Sequence, residues 1–484
     1  MRTLAFVFML LISSFALAQS TSQWVTLKGK APEYAGYSLV MRKVVNPISR
    51  EEADLMVLHV DEHGYFQQQI ELSNVVYASI DMGRFLGYIY LEPGQTYELV
   101  LPPFQPRSDA ERFNPYFVPE VIELGIANEE AQVLNKRMKR FDEQLSTAYN
   151  ENAVRVFARS DVQRANHIIE GLDSITKGCD YLQEYSRYAY GELLTLAYKR
   201  NKRMAMHLTF SGDSINMFMP AFIKSFNTLF KGFFTYYFSS NRGDALRDAY
   251  NQGATFDSLS YLLQKDTLFA NHELADLVLM KGMYDAFYSG RYDEERIIQL
   301  YRQAAETGSR PDIRNIAQGL HRKVTWLRTG SAAPPFTLYR LDGRERSLSD
   351  YEGKFVYLNF MHTSNHTCRQ ELELLNVLSK QMRREMIIVT IIMDEDPTAA
   401  QKLVKENKYK WDFLHYIGMP KVVSDYRIKA LPMYFVIDPS QKLRLVPAPS
   451  PTESFAPIFM EAQRSYRYEQ LRKDRPSEKS IYDF

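Results

Sequence analysis

Thiols are scarce in this chain: Cys179 and Cys368 are its only two cysteines in 484 residues. Cys368 closes the run His362-Thr363-Ser364-Asn365-His366-Thr367-Cys368, which sets one thiol beside two imidazoles in sequence. A thiolate can attack a disulfide, and His362, His366 or a helix N-terminus could lower the thiol pKa enough to produce one. A complete exchange also needs a second sulfur to release the mixed disulfide. The run has only one, so a dithiol cycle within it is excluded; a mixed disulfide through Cys368, or a cycle borrowing Cys179, stays open. Two histidines and a cysteine are also donors that suit copper or zinc, but His362, His366 and Cys368 fit no standard zinc-finger spacing and no further ligand pair accompanies them. The plainer alternative is that Cys368 packs as a small hydrophobe and the histidines are solvated. That alternative is favoured, and no cofactor is expected.

Other chemistry finds little support. There is no Gly-rich phosphate loop, no His-Glu-x-x-His segment and no Gly-x-Ser-x-Gly elbow. Asp394-Glu395-Asp396-Pro397 reads as a solvated turn and helix start. A bridge between the two cysteines is disfavoured, because they fall in different predicted domains and nothing in the sequence brings their Cα atoms within reach. Formal net charge is +1, so no electrostatic footprint for nucleic acid is present. Arg2, an apolar run over 4–12 and Ala16-Leu17-Ala18 have the layout of a secretory signal peptide cut after Ala18. Gln19 rather than a cysteine follows the cut, so no lipid anchor is expected there. No transmembrane span is expected in the mature chain.

The elements that must position these residues fall into three groups, as the length suggests. Alternating runs at 25–29, 37–41, 55–60, 65–70, 88–91 and 96–101 predict strands, with turns at 61–64 and 92–95. Strands so spaced make a small antiparallel β-sandwich over 19–125. From 126 to 329 the period turns helical. Phe218, Phe222, Phe226 and Phe230 stand four apart on one helix face, and core packing is the favoured reading over a ligand groove. Asn271 caps a helix ending at Gly290, Asp293 opens the next, and Pro311 begins a third. Apolar runs at 355–360 and 386–392, separated by a helix through Leu372, Leu375 and Leu378, then predict an α/β sheet over 330–466. A charged tail over 467–484 starts as helix. The fold class is therefore multidomain α+β, with an N-terminal antiparallel β-sandwich, an all-helical middle domain and a C-terminal α/β domain.

The last domain resembles the thioredoxin superfamily, in its exported redoxin or TlpA-like branch. The resemblance rests on Ala333-Pro334-Pro335-Phe336, on Gly353-Lys354 before an apolar strand, on Cys368-Arg369-x-Glu371, and on Leu431-Pro432 before the run 434–438. It implies that Pro432 is a cis proline facing the active-site loop. It also implies that Asn365-His366-Thr367-Cys368 occupies the place of the Cys-x-x-Cys of active relatives. Asparagine cannot use the helix N-terminus to become a nucleophile, but it is among the best N-cap residues, so the helix start should persist while the redox couple is lost. The expectation is a periplasmic protein-binding or scaffold module without dithiol oxidoreductase activity. Its protein or peptide partner and oligomeric state are not specified by the sequence. The enzymatic alternative is a thiol-disulfide oxidoreductase working through Cys368.

Overall fold

The computed structural model describes residues 22–112, 117–212, 215–419 and 421–473. The expected signal peptide, and the tail beyond Lys473, lie outside the described residues. The chain divides into two compact units. The first gathers the described residues up to Pro106 with Pro119–Tyr292 and Gln303–Ile316; the second takes Arg107–Val118, Asp293–Arg302 and the chain from Ala317 on.

Among the described residues, nine strands open the first unit: β1 (Gln23–Lys30), β2 (Ser38–Asn46), β3 (Glu51–His59), β4 (Tyr65–Leu72), β5 (Val76–Met82), β6 (Phe85–Leu91), β7 (Thr96–Val100), β8 (Glu120–Glu123) and β9 (Gly125–Ile126). They form two sheets, ordered β4-β1-β7-β9 and β3-β2-β5-β6-β8. Alternation decides which side of each strand is buried: Val25 and Leu27 of β1 and Met41 of β2 are fully buried in the cluster that also holds Ile80 and Leu91. The pairings are antiparallel except β1 with β7 and β6 with β8, which are parallel. At the 61–64 turn the Asp61 carboxylate accepts from the His63 and Tyr65 amides at 2.9 and 2.8 Å. Gly64 there has φ +81°, and a Cβ would lie 2.5 Å from the Pro32 Cα, so only glycine fits.

Helices make up the rest of this unit, among them α1 (Val133–Arg159), α2 (Asp180–Ala189), α3 (Pro220–Leu229) and α4 (His272–Ser289). Phe222, Phe226 and Phe230 are fully buried, and the Phe222 and Phe226 rings stack 5.3 Å apart. They are core. Phe218 is half-buried at the start of the stripe. Asn271 caps α4 by accepting from the Leu274 amide at 3.1 Å, and Gly290 ends it with φ +66°.

The second unit carries a seven-stranded sheet built from β10 (Thr337–Arg340), β11 (Glu345–Ser347), β12 (Phe355–Met361), β13 (Met386–Ile392), β14 (Asp412–His415), β15 (Met433–Ile437) and β16 (Leu443–Leu445), in the order β11-β10-β14-β13-β12-β15-β16. Helices α5 (His366–Gln381), α6 (Thr398–Asn407) and α7 (Phe455–Lys473) accompany it. The sheet is mixed: β13 is parallel to β12 and β14, whereas β15 pairs antiparallel with β12. Every residue of β12 is buried. Val356, Leu358 and Phe360 enter one apolar cluster while Phe355, Tyr357 and Met361 enter another, as a strand covered on both faces requires. Its carboxyl end releases the chain at His362 directly into the loop before α5.

Candidate functional site

Asn365 is the N-cap of α5. Its backbone is extended (φ −77°, ψ 119°), and its Oδ1 accepts from the Cys368 amide at 3.1 Å, which satisfies one of the donors a helix start leaves free. Its Nδ2 donates to the Leu431 carbonyl at 3.2 Å. Leu431-Pro432 is a cis peptide immediately before β15. One carboxamide therefore spans the helix start and the proline turn. His366 is exposed at the first helical position, and Thr367 is exposed beside it.

Cys368 faces inward and is 2% exposed. Burial pushes its thiol up to about 11, and the nearby charges of Glu371 and Asp394 push the same way. Roughly one molecule in ten thousand would then carry the thiolate at pH 7, despite the helix N-terminus beside it. Both cysteines are free thiols, and Cys179 is half-buried.

The loop between β12 and α5 is held from beneath by Asp394. This carboxylate accepts from the Thr363 amide at 3.0 Å and from the Thr363 hydroxyl, while the backbone carbonyl of the same residue meets His415 Nε2 at 2.7 Å. Asp394 is buried, which corrects the reading of 394–397 as a wholly solvated turn: strand β13 delivers it to the carboxyl end of the sheet, where unpaired loop amides need an acceptor. Only Asp396 behaves as a helix-start residue, accepting from the Thr398 amide at 2.9 Å. His362 is buried too, and its Nδ1 accepts from the Ser364 amide at 3.1 Å. That bond makes Nδ1 the unprotonated nitrogen, because a backbone N–H can only donate. His362 is therefore not the solvated side chain expected.

His362, His366 and Cys368 do not converge. Among the described residues, no group of three His, Cys, Asp or Glu side chains could hold a metal ion. A second buried carboxylate, Glu371, lies one helical turn beyond Cys368; it accepts from the Tyr434 hydroxyl and from Thr452 Oγ1 at 2.9 Å. Glu371 belongs to the Cys368-Arg369-x-Glu371 segment, whose local pattern gives it no role. Asp394 and Glu371 are the residues that sequence reasoning missed at this site. The one available signal was that Asp394 stands just past the apolar run 386–392.

Residues 329–446 match the pattern of the AhpC/TSA family. A thioredoxin-like protein of Bacillus subtilis, YneN, is 30% identical over 129 residues, which is 26% of this chain and 74% of that protein. The chain belongs to the thioredoxin-like redoxin family. The thiol-disulfide oxidoreductase ResA of Geobacillus thermodenitrificans is 31% identical over 124 residues, covering 25% of this chain and 70% of its own. A crystal structure of the thioredoxin domain of a Bacteroides vulgatus thiol-disulfide oxidoreductase aligns with a TM-score of 0.26 at 23% identity, covering 28% of this chain and 98% of that one. All three likenesses are confined to about a quarter of the chain. In this redoxin the loop after β12 carries the Asn365 carboxamide at the helix start, and the buried Cys368 follows three residues later. Such an arrangement can brace the loop and the proline turn against each other. Among the described residues, no helix is long and apolar enough to cross a membrane.

Proposed function

We propose that this redoxin works without dithiol exchange, as a protein-binding or scaffold module of the cell envelope, exported by a signal peptide cut after Ala18 into the periplasm. The observation that carries the reading is the Asn365 carboxamide, which caps α5 and bonds to Leu431 in place of any attacking sulfur. The burial of Cys368 and its raised pKa weigh against the single-thiol alternative, and the separation of His362, His366 and Cys368 weighs against metal binding. The turn at Pro432 still offers main-chain groups to an extended peptide, a recognition mode that needs no thiol. The proposed parts are the leader 1–18, a β-domain 19–125, a helical domain 126–329, the redoxin domain 330–466 and the tail 467–484.

A disulfide-reduction assay tests this reading. The purified mature chain should show no turnover above background, Cys368→Ser should not differ from it, and Asn365→Cys should gain reductase activity by restoring the sulfur pair. Turnover of the natural chain that Cys368→Ser abolishes would overturn it. The mass of the N-terminus in a periplasmic extract checks the cut.

A further inference from the structure

The first unit holds a cavity of about 1070 Å³, at the upper limit of the sizes that take an organic ligand. Its lining includes Arg42 and Val44 of β2, Glu52 of β3, Tyr77 and Ser79 of β5 and Tyr88 of β6. These are cross-strand neighbours: Arg42 stands opposite Ser79, Ser79 opposite Tyr88, and Val44 opposite Glu52. They therefore share the face of the five-stranded sheet turned away from the sandwich core, where Met41 and Ile80 are buried. Phe218 contributes an apolar wall.

Three observations restrict the ligand. First, the charged residues lining the cavity nearly balance, with five cations and four carboxylates. Three of the cations are held by carboxylates: Arg42 by Asp54 at 3.2 Å, Lys224 by Glu192 at 2.8 Å and Arg310 by Glu273 at 2.6 Å. No field is left to gather a polyanion. Second, Arg42, Val44, Tyr77 and Ser79 stand on β2 and β5, interior strands whose main-chain groups serve their own ladders, so these residues meet a ligand with their side chains. Third, the Tyr77 and Tyr88 rings stack 5.0 Å apart with planes 8° apart, and Glu52 is near enough to Tyr88 that its charge adds to burial in raising the phenol pKa. An aromatic face with a carboxylate beside it suits a ligand that has C–H faces and hydroxyl donors together.

The rim is built rather than incidental. Arg50, which lines the cavity, takes a left-handed backbone with φ +57°, uncommon for a residue that is not glycine. The turn leading to it is pinned: the buried Asn46 carboxamide accepts from the Ile48 and Ser49 amides at 3.1 and 3.0 Å and donates to the Ile316 carbonyl at 3.0 Å. Asn227 Nδ2 donates to the Pro47 carbonyl at 2.7 Å.

We propose that this cavity binds a neutral saccharide, with one sugar ring against Tyr88 and its hydroxyls exchanging hydrogen bonds with Glu52 and Arg50. The site takes no part in thiol chemistry and stands whether or not the redoxin domain is inactive. The test is to probe the full-length purified chain on an array of neutral and anionic glycans and to titrate the hits calorimetrically. A neutral oligosaccharide should bind, with affinity at least tenfold weaker in Tyr88→Ala and in Glu52→Gln and retained in Tyr88→Phe. Glu52 is exposed, so Glu52→Gln reports even if Tyr88→Ala does not fold. The proposal is overturned if no neutral glycan binds, if only anionic glycans bind, or if binding survives both Tyr88→Ala and Glu52→Gln.

Discussion

Asn365 makes two bonds of different kinds, and substitutions can separate them. Asn365→Ala deletes the cap on the Cys368 amide at 3.1 Å and the tether to the Leu431 carbonyl at 3.2 Å. The cap contributes about 1 kcal/mol, and a neutral amide–carbonyl bond contributes about 1 kcal/mol more. The alanine variant should therefore lose about 2 kcal/mol, which for a unit of roughly 190 residues lowers its melting temperature by about 4–8 °C. Asn365→Asp keeps an acceptor for the Cys368 amide and adds a negative charge at the helix N-terminus, favourable by about 0.3–1 kcal/mol. It cannot donate to Leu431, and it turns a carboxylate oxygen toward that carbonyl. Its net loss should be about half that of alanine. Differential scanning calorimetry of the full chain, following the transition that shifts in these variants, compares the three proteins. Should Asn365→Ala melt within 1 °C of the natural chain, or Asn365→Asp lose as much as alanine, the two-bond account of this residue is wrong.

Other substitutions test the groups around it. Glu371→Ala should destabilise the second unit by about 2–4 kcal/mol in denaturant melts, because the buried Tyr434 hydroxyl and Thr452 Oγ1 both lose their acceptor; Glu371→Gln should cost less. In the native chain at pH 7, Ellman's reagent should titrate Cys179 and leave Cys368 untouched until the protein unfolds; fast reaction at Cys368 would contradict its burial. Asp142 in the first unit, bonded by the Tyr185 hydroxyl at 3.1 Å, is raised by burial to about 6 from an ordinary 3.8. The folded state thus binds this proton more tightly than the unfolded one, so the group costs stability above pH 6 and returns it as pH falls from 6 toward 4. The full effect is of order 3 kcal/mol by the conversion of 1.36 kcal/mol per unit. Asp142→Asn should be more stable than the natural chain at pH 7, with that difference shrinking by pH 4.5 in urea titrations; an unchanged difference would refute the assignment.

What could be read from the sequence follows the range of the interactions involved. The Phe222, Phe226 and Phe230 stripe, the all-buried run of β12 and the caps at Asn271 and Asn365 are each specified within a few neighbours, and each is found where local pattern puts it. The antiparallel pairing of β15 with β12 has no such local mark, and neither do the parallel joins of β1 with β7 and β6 with β8. The roles of Asp394 and Glu371 are equally hidden, since their partners lie far away in sequence: Thr363 is 31 residues from Asp394, and Tyr434 and Thr452 are 63 and 81 residues from Glu371. A run of acidic residues after a strand reads as a solvated turn until the fold supplies buried donors for the first of them. Asn365 joins both classes. Its cap was legible because a helix start is local, whereas its tether to Leu431 spans 66 residues and appears only when β15 is laid beside β12. A cysteine at this position could not make that tether, because a thiol is a weak donor on a shorter side chain. The residue at the helix start therefore does two things at once, capping α5 and cross-linking it to the proline turn, and on the proposed reading the same carboxamide stands where a nucleophile would need a thiol.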